Sequence, residues 1–204
     1  MKKIIPFRKL TLEFYRKDAL KVAQSILGKI LVRQSGDLIL SGKIVEVEAY
    51  KGNIDKAAHT FGGKTKRNEV MFEEGGLLYV YFTYGMHYCS NVVTGPSGEG
   101  QAVLLRGIEP ISGIETMAFN RFGKNTINEK ENINLTNGPA KICKAFGLDK
   151  TWNGAKLVSD NFFIIDQPDI PSALIVTTTR IGIKKSVNLP WRFYIKNNSF
   201  VSKK

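Results

Sequence analysis

The stretch GKIVEVEAY, residues 42–50, decides how this chain folds. Apolar and polar residues alternate in it with a period of two, which marks a strand and not a helix. Ile44, Glu46, Glu48 and Tyr50 point one way, and Val45, Val47 and Ala49 the other. On a regular strand the Cα atoms of Glu46 and Glu48 lie about 6.5–7 Å apart. Two carboxylates on one face can do hydrolytic work, one of them activating water. The plainer reading is the solvent face of an edge strand, where Glu is ordinary. Ile44 and Tyr50 flank the pair on the same face and favour a partly enclosed surface.

Outward from this strand the pattern stays mixed. Upstream, Asp18 can cap a helix in which Leu20, Ala23, Ile26 and Leu27 share a face, and Gly28 suits its end. Strands are expected at 29–33 and near 37–40. Downstream, residues 52–68 read as a loop rich in Gly and Lys, and 77–83 and 102–106 as strands. Pro110 is placed to open a helix reaching Phe122. Residues 123–137 read as an Asn-rich loop, and Pro139 starts a short helix that stops before Gly147. Further strands are expected at 161–165, 174–180 and 192–195. Strands outnumber helices, most connections are short, and neither a repeat nor a low-complexity linker interrupts them. The expected fold is therefore α+β, a single mixed domain over residues 1–204 with a largely antiparallel β-sheet and surrounding helices.

Composition narrows the partners. The 204 residues hold 43% hydrophobic side chains, and mean hydropathy is −0.15, values of a globular rather than a disordered chain. No apolar run is long enough to span a bilayer. The basic start MKKIIPFRKL is not followed by an apolar signal core, so a cytoplasmic protein with no membrane partner is expected. Two cysteines, Cys89 and Cys143, are too few for a disulfide framework. With His59 and His87 they lack zinc-ligand spacing, so no metal is expected. Thirty Lys and Arg against eighteen Asp and Glu leave a net charge of +12, a common footprint of phosphate-backbone binding.

Several positions could carry chemistry. GGKTKRN, residues 62–68, suggests a nucleotide phosphate loop, but that motif needs Gly where this chain has Ala58. What remains is a basic loop whose Lys64, Lys66 and Arg67 suit DNA-backbone contact. His59 precedes it; a lone His is more often structural than catalytic. Arg106 ends the apolar run AVLLR and is well placed to orient a carboxylate. Tyr79, Tyr81, Tyr84 and Tyr88 crowd into LLYVYFTYGMHYCSN, which Asn91 closes. Gly85 turns this run at a hairpin tip, leaving Tyr84 exposed, and an exposed aromatic suits stacking on bases.

Taken in order, IVEVEAYKG, DKAAHTFGGKTKRNEVMF, GGLLYVYFTYGMHYCSNVV, GQAVLLRGIEP, NGPAKICKAFGLD, TTRIGI and PWRFYI resemble the alkyladenine (3-methyladenine) DNA glycosylases, also called methylpurine DNA glycosylases. The resemblance runs through nearly the whole chain. It implies a monomeric, monofunctional hydrolase of base excision repair. Such an enzyme flips an alkylated purine from double-stranded DNA and hydrolyses its N-glycosidic bond with water, leaving an abasic site. It needs no cofactor, no metal and no obligate protein partner. 3-Methyladenine and 7-methylguanine are the expected bases; hypoxanthine and ethenoadenine stay open. A protruding, DNA-inserting β-hairpin is implied, and no lysine serves as a Schiff-base nucleophile, so strand cleavage is not expected.

By position, Glu48 matches the family's catalytic glutamate and Arg106 the arginine beside it. Tyr50, His59 and Tyr81 match the side chains that sandwich the flipped base. Asn91 matches the pocket asparagine, and Tyr84 the intercalating wedge. Family members often carry Tyr or Phe where this chain has His87, which leaves minor-groove contacts and base range open. Two other readings compete: a non-catalytic nucleic-acid-binding module, and hydrolysis of free nucleosides.

Overall fold

The computed structural model describes residues 8–83 and 85–203. Five α-helices lie among them: α1 (Leu12–Tyr15), α2 (Ala19–Ser25), α3 (Ile114–Phe122), α4 (Glu129–Ile133) and α5 (Pro139–Phe146). The strands are β1 (Ile30–Ser35), β2 (Leu38–Lys51), β3 (Leu78–Thr83), β4 (His87–Thr94), β5 (Gln101–Ser112), β6 (Phe162–Ile165), β7 (Ile175–Thr178) and β8 (Arg192–Ile195). They join in one sheet ordered β3-β4-β5-β2-β1-β6, with β8 on β2 and β7 on β8. Each pairing described is antiparallel. The α+β reading with an antiparallel sheet holds. Among the described residues, no helix is long and apolar enough to cross a membrane.

β2 is the spine of the sheet. The two short strands expected on either side of Gly42 are one strand of 14 residues. Gly42 permits this: a Cβ there would lie 2.4 Å from Ile108 Cγ2 and 2.8 Å from the Glu109 carbonyl oxygen. β5 runs along one edge of β2; β1 lines its first half on the other edge and β8 its second half. The Glu46–Glu48 stretch therefore sits mid-sheet, and both carboxylates are fully buried. The edge-strand reading fails.

Two bulges in the β2–β5 ladder set which side chains face the site. Ile44 pairs with Ile108 and Glu46 with Gly107, so Val45 is the extra residue on β2. Glu46 pairs with Gly107 and Val47 with Leu105, so Arg106 is the extra residue on β5. A bulge re-aims the residues beside it. Ile44 consequently packs in the main core cluster with Val47 and Ala49, instead of sharing a face with Glu46 as strict alternation would have it.

The main core also takes in the helices. Asp18 accepts the Leu20 N–H at 2.9 Å and caps α2, whose Ala19, Val22 and Ala23 are buried. α2 packs on β2 and β5, α5 on β4 and β5, and α3 on α5. Burying each large aliphatic or Phe side chain of this cluster contributes about 1.5–3 kcal/mol. Two helical expectations are corrected. Pro110 lies in β5 opposite Gly42, and α3 begins only after Gly113, whose φ of +75° makes the turn. The Asn-rich loop contains α4, closed by a capping box between Asn128 and Glu131.

Candidate active site

A cavity of about 640 Å³ opens beside β2, lined by Tyr50, His59, Tyr79, Tyr81, Asn91 and Arg106 among others. Five residues singled out from the sequence thus meet in one place: Tyr50, His59, Tyr81, Asn91 and Arg106. β2 supplies Tyr50, β3 Tyr79 and Tyr81, β4 Asn91 and β5 Arg106. Loop residues carry His59 on one side and residues 181–185 on the other.

Glu48 sits under this cavity, held from three directions. Its Oε1 accepts the Ile181 backbone N–H at 2.7 Å. Its Oε2 accepts the Tyr50 hydroxyl at 2.8 Å and Arg106 Nη1 at 3.4 Å. The two side-chain donors thus meet the same carboxylate oxygen. Burial first, then the Glu48 carboxylate, pushes the Tyr50 phenol well above its ordinary range, so it stays a proton donor.

Glu46 differs although it shares the strand. It accepts Arg106 Nε at 3.2 Å, Arg192 Nε at 2.7 Å, the Ser202 N–H at 2.6 Å and the Ser202 hydroxyl at 2.9 Å. Both of its oxygens are committed to these partners. Glu46 therefore ties the C-terminal segment to the sheet, and it fixes Arg106 beside Glu48. The paired carboxylates divide into an anchor and a candidate base.

The aromatic wall is equally fixed. Tyr79 and Tyr81 stack with ring centroids 5.4 Å apart, and His59 meets Tyr81 edge-on at 4.5 Å. His59 Nδ1 lies 3.1 Å from the Tyr79 hydroxyl. Although His59 is solvent-accessible, partial burial of its ring, then nearby Arg67, pulls its pKa below the ordinary 6.5. Burial likewise raises the Tyr81 phenol. At neutral pH the wall is uncharged. Asn91 is buried and donates to the Tyr79 carbonyl at 3.3 Å.

In the basic loop, Arg67 reaches the aromatic wall, its guanidinium 5.9 Å from the Tyr81 ring centroid. Lys64 pairs with Glu73 at 3.5 Å, Lys66 is exposed, and Arg67 donates to the Phe82 carbonyl at 3.2 Å. None of the three is among the cavity-lining residues, whereas Lys56, Lys184 and Lys185 are. β3 and β4 form a hairpin through the pairs Phe82–Tyr88 and Thr83–His87. Near its tip Met86 is 71% exposed and Phe82 50%. Tyr84, the expected wedge, lies outside the described residues.

One pair of site residues escaped the sequence reading. Arg180 and Asp55 form a fully buried ion pair, with Nη2 2.8 Å from Oδ1. The same guanidinium donates to the Ala49 carbonyl at 3.0 Å and lies 4.5 Å from the Tyr50 ring centroid. It braces Tyr50 and places Ile181, the next residue, on Glu48. The two partners are 125 positions apart, so no local pattern announces them.

Comparison with known proteins points to one family. The sequence model of a family described as methylpurine-DNA glycosylase matches residues 13–199. A protein of Clostridium botulinum, provisionally named a 3-methyladenine DNA glycosylase, is 46% identical over 205 residues, covering 96% of this chain and 99% of its own. One of the same provisional name from Carboxydothermus hydrogenoformans is 49% identical over 193 residues, covering 94% and 97%. A third, from Desulfitobacterium hafniense, is 45% identical over 203 residues, covering 97% and 100%.

Proposed function

The chain belongs to the methylpurine-DNA glycosylase family, and from that premise we propose that it excises alkylated purines from duplex DNA, with Glu48 activating the water that cleaves the N-glycosidic bond. The observation that carries this reading is the setting of Glu48: a buried carboxylate held by Ile181 N–H, Tyr50 and Arg106 under an aromatic cavity. As base and sugar separate, positive charge grows on the sugar. A fixed carboxylate favours that charge and takes the proton of the attacking water. The Tyr50 hydroxyl holds Oε2 of Glu48, and in this reading water takes its place there when substrate enters.

The neutral walls suit the base. A cationic methylated purine is attracted to Tyr and His faces by about 0.5–2 kcal/mol each, depending on desolvation. Tyr50, His59 and Tyr81 are the proposed stacking partners, and Asn91 the residue that crowds unsuitable purines. Extruding a base costs a few kcal/mol, least at a damaged pair, so selection begins before bond cleavage. Tyr84 is proposed as the wedge that fills the vacated stack. The net charge of +12 supplies non-specific affinity for searching DNA.

The test is release of 3-methyladenine or hypoxanthine from duplex DNA by wild type and by Glu48→Gln. Equal activity would remove Glu48 from its role. No release of any modified base by wild type would leave the non-catalytic binding module standing. A free-nucleoside substrate cleaved faster than the duplex would favour the nucleosidase.

A further inference from the structure

We propose that Lys184 and Lys185, with Lys56 beside them, form a phosphate grip at the cavity mouth that closes on the DNA backbone only when a nucleotide has been extruded. This rests on the flipped-base reading above. All three lysines are exposed and line the cavity. Among the described residues, none of them has an ion-pair partner, and the carboxylate nearest in sequence, Asp55, is taken by Arg180.

The segment that carries Lys184 and Lys185 is pinned. At one end the Ile181 N–H bonds Glu48. At the other, the Ser186 hydroxyl accepts the Lys56 N–H at 3.0 Å, and the Ser186 carbonyl accepts Arg180 Nη2 at 3.4 Å. Ser186 adopts φ +50°, a left-handed conformation unusual for a residue with a side chain. Such a conformation persists where the surroundings over-determine it. Residues 181–186 therefore form a braced arch rather than a loose loop. Its free ammonium groups stand on flexible stems over fixed Cα positions.

The ligand class follows from connectivity. A base that enters the cavity stays joined to its sugar, and the sugar to the phosphates on its two sides. Those phosphates come to the cavity mouth with it. Lysine suits a phosphate oxygen as a point charge with rotatable donors. Lys64 and Lys66, on the other loop and outside the cavity lining, have no such dependence on extrusion.

The experiment measures binding against salt concentration for wild type, Lys184→Gln/Lys185→Gln and Lys64→Gln/Lys66→Gln. Two duplexes are compared: one undamaged, and one holding a hypoxanthine on a 2′-fluorinated sugar that resists cleavage. Each lost phosphate contact lowers the log–log salt slope by about 0.9. The arch double variant is expected to lose about 1.8 from the slope on the lesion duplex, so that it weakens about twelvefold less than wild type between 50 and 200 mM salt. Its slope on the undamaged duplex stays that of wild type. Equal losses on both duplexes would make these lysines part of a general searching surface and overturn the proposal, and so would no loss on either. Excision by wild type is measured separately. If excision persists while the slope prediction fails, the grip alone is wrong; if wild type excises nothing, the glycosylase reading falls first.

Discussion

Replacing Glu46 and Glu48 singly by Gln separates two carboxylates that the sequence presents as a matched pair. Glu46 is fully buried between Arg106 and Arg192 and also bonds Ser202. An amide there turns two donor hydrogens towards partners that are themselves donors, leaves Arg192 without a buried counter-charge and leaves Arg106 only the 3.4 Å contact to Glu48. Removing one member of a buried ion pair costs about 3–5 kcal/mol. For a chain of this size each kcal/mol lowers Tm by about 2–4 °C, so Glu46→Gln should melt roughly 6–20 °C below wild type. Glu48→Gln keeps an acceptor for the Ile181 N–H and can offer its amide to the Tyr50 hydroxyl; it loses mainly the 3.4 Å contact to Arg106. That costs about 1.5–3 kcal/mol, the range for a hydrogen bond to a charged group. Its excision rate should instead fall by about 10²–10⁴, the usual contribution of a general base. Urea unfolding at constant m reads the stabilities, and single-turnover release of a modified base, at a temperature where both variants are folded, reads the chemistry. The division of labour is refuted if folded Glu46→Gln loses as much rate as Glu48→Gln, or if Glu48→Gln is the less stable of the two.

Two other perturbations follow from the same geometry. Asp55→Asn strands the buried Arg180 charge and should cost about 3–5 kcal/mol, whereas Asp55→Leu combined with Arg180→Met should recover most of that stability; urea midpoints for the single and double variants check this, and a double variant no better than the single contradicts it. The His59 pKa is lowered in the folded protein, so just below 6.5 the unfolded chain binds the proton before the native one does. Its contribution is present above 6.5 and is lost as pH falls through the lowered value. A His59→Gln variant should show a shallower loss of stability across that acid window, and an identical pH dependence would contradict the shift.

How far the site could be read from sequence depended on how local its determinants are. The alternation in residues 42–50 correctly placed Glu46, Glu48 and Tyr50 together, because side-chain parity is a property of one strand. It misplaced Ile44, because the bulge at Val45 arises from mispairing with β5, a strand about sixty residues away. Alternation also could not say that the carboxylate face was covered; β8 and Ser202 do that from the far end of the chain. Pro110 looked like a helix start because proline suits the first turn, yet here it meets Gly42 at a register shift near the end of β5. The α4 helix was legible in Asn128 and Glu131 but hidden by the polar composition around them. Arg180 and Asp55 had no local signal at all. The α+β class survived these misses because it needs only the balance of strands and helices.

The bond from Arg67 to the Phe82 carbonyl also bears on how the molecule behaves at high concentration. β3 ends the sheet. Residues 153–156 cover its inner half through bonds to Leu78 and Val80 and a bridge from Lys156 to Leu77. Its outer half, beside the half-exposed Phe82, has no neighbouring strand among the described residues. An open, apolar strand edge is a template on which a second chain can pair and aggregation can start. A guanidinium already bonded to that edge occupies one of the acceptors a docking strand would use and leaves a positive charge in its path. The hairpin proposed to enter DNA can thus stay bare without gluing the molecules to one another.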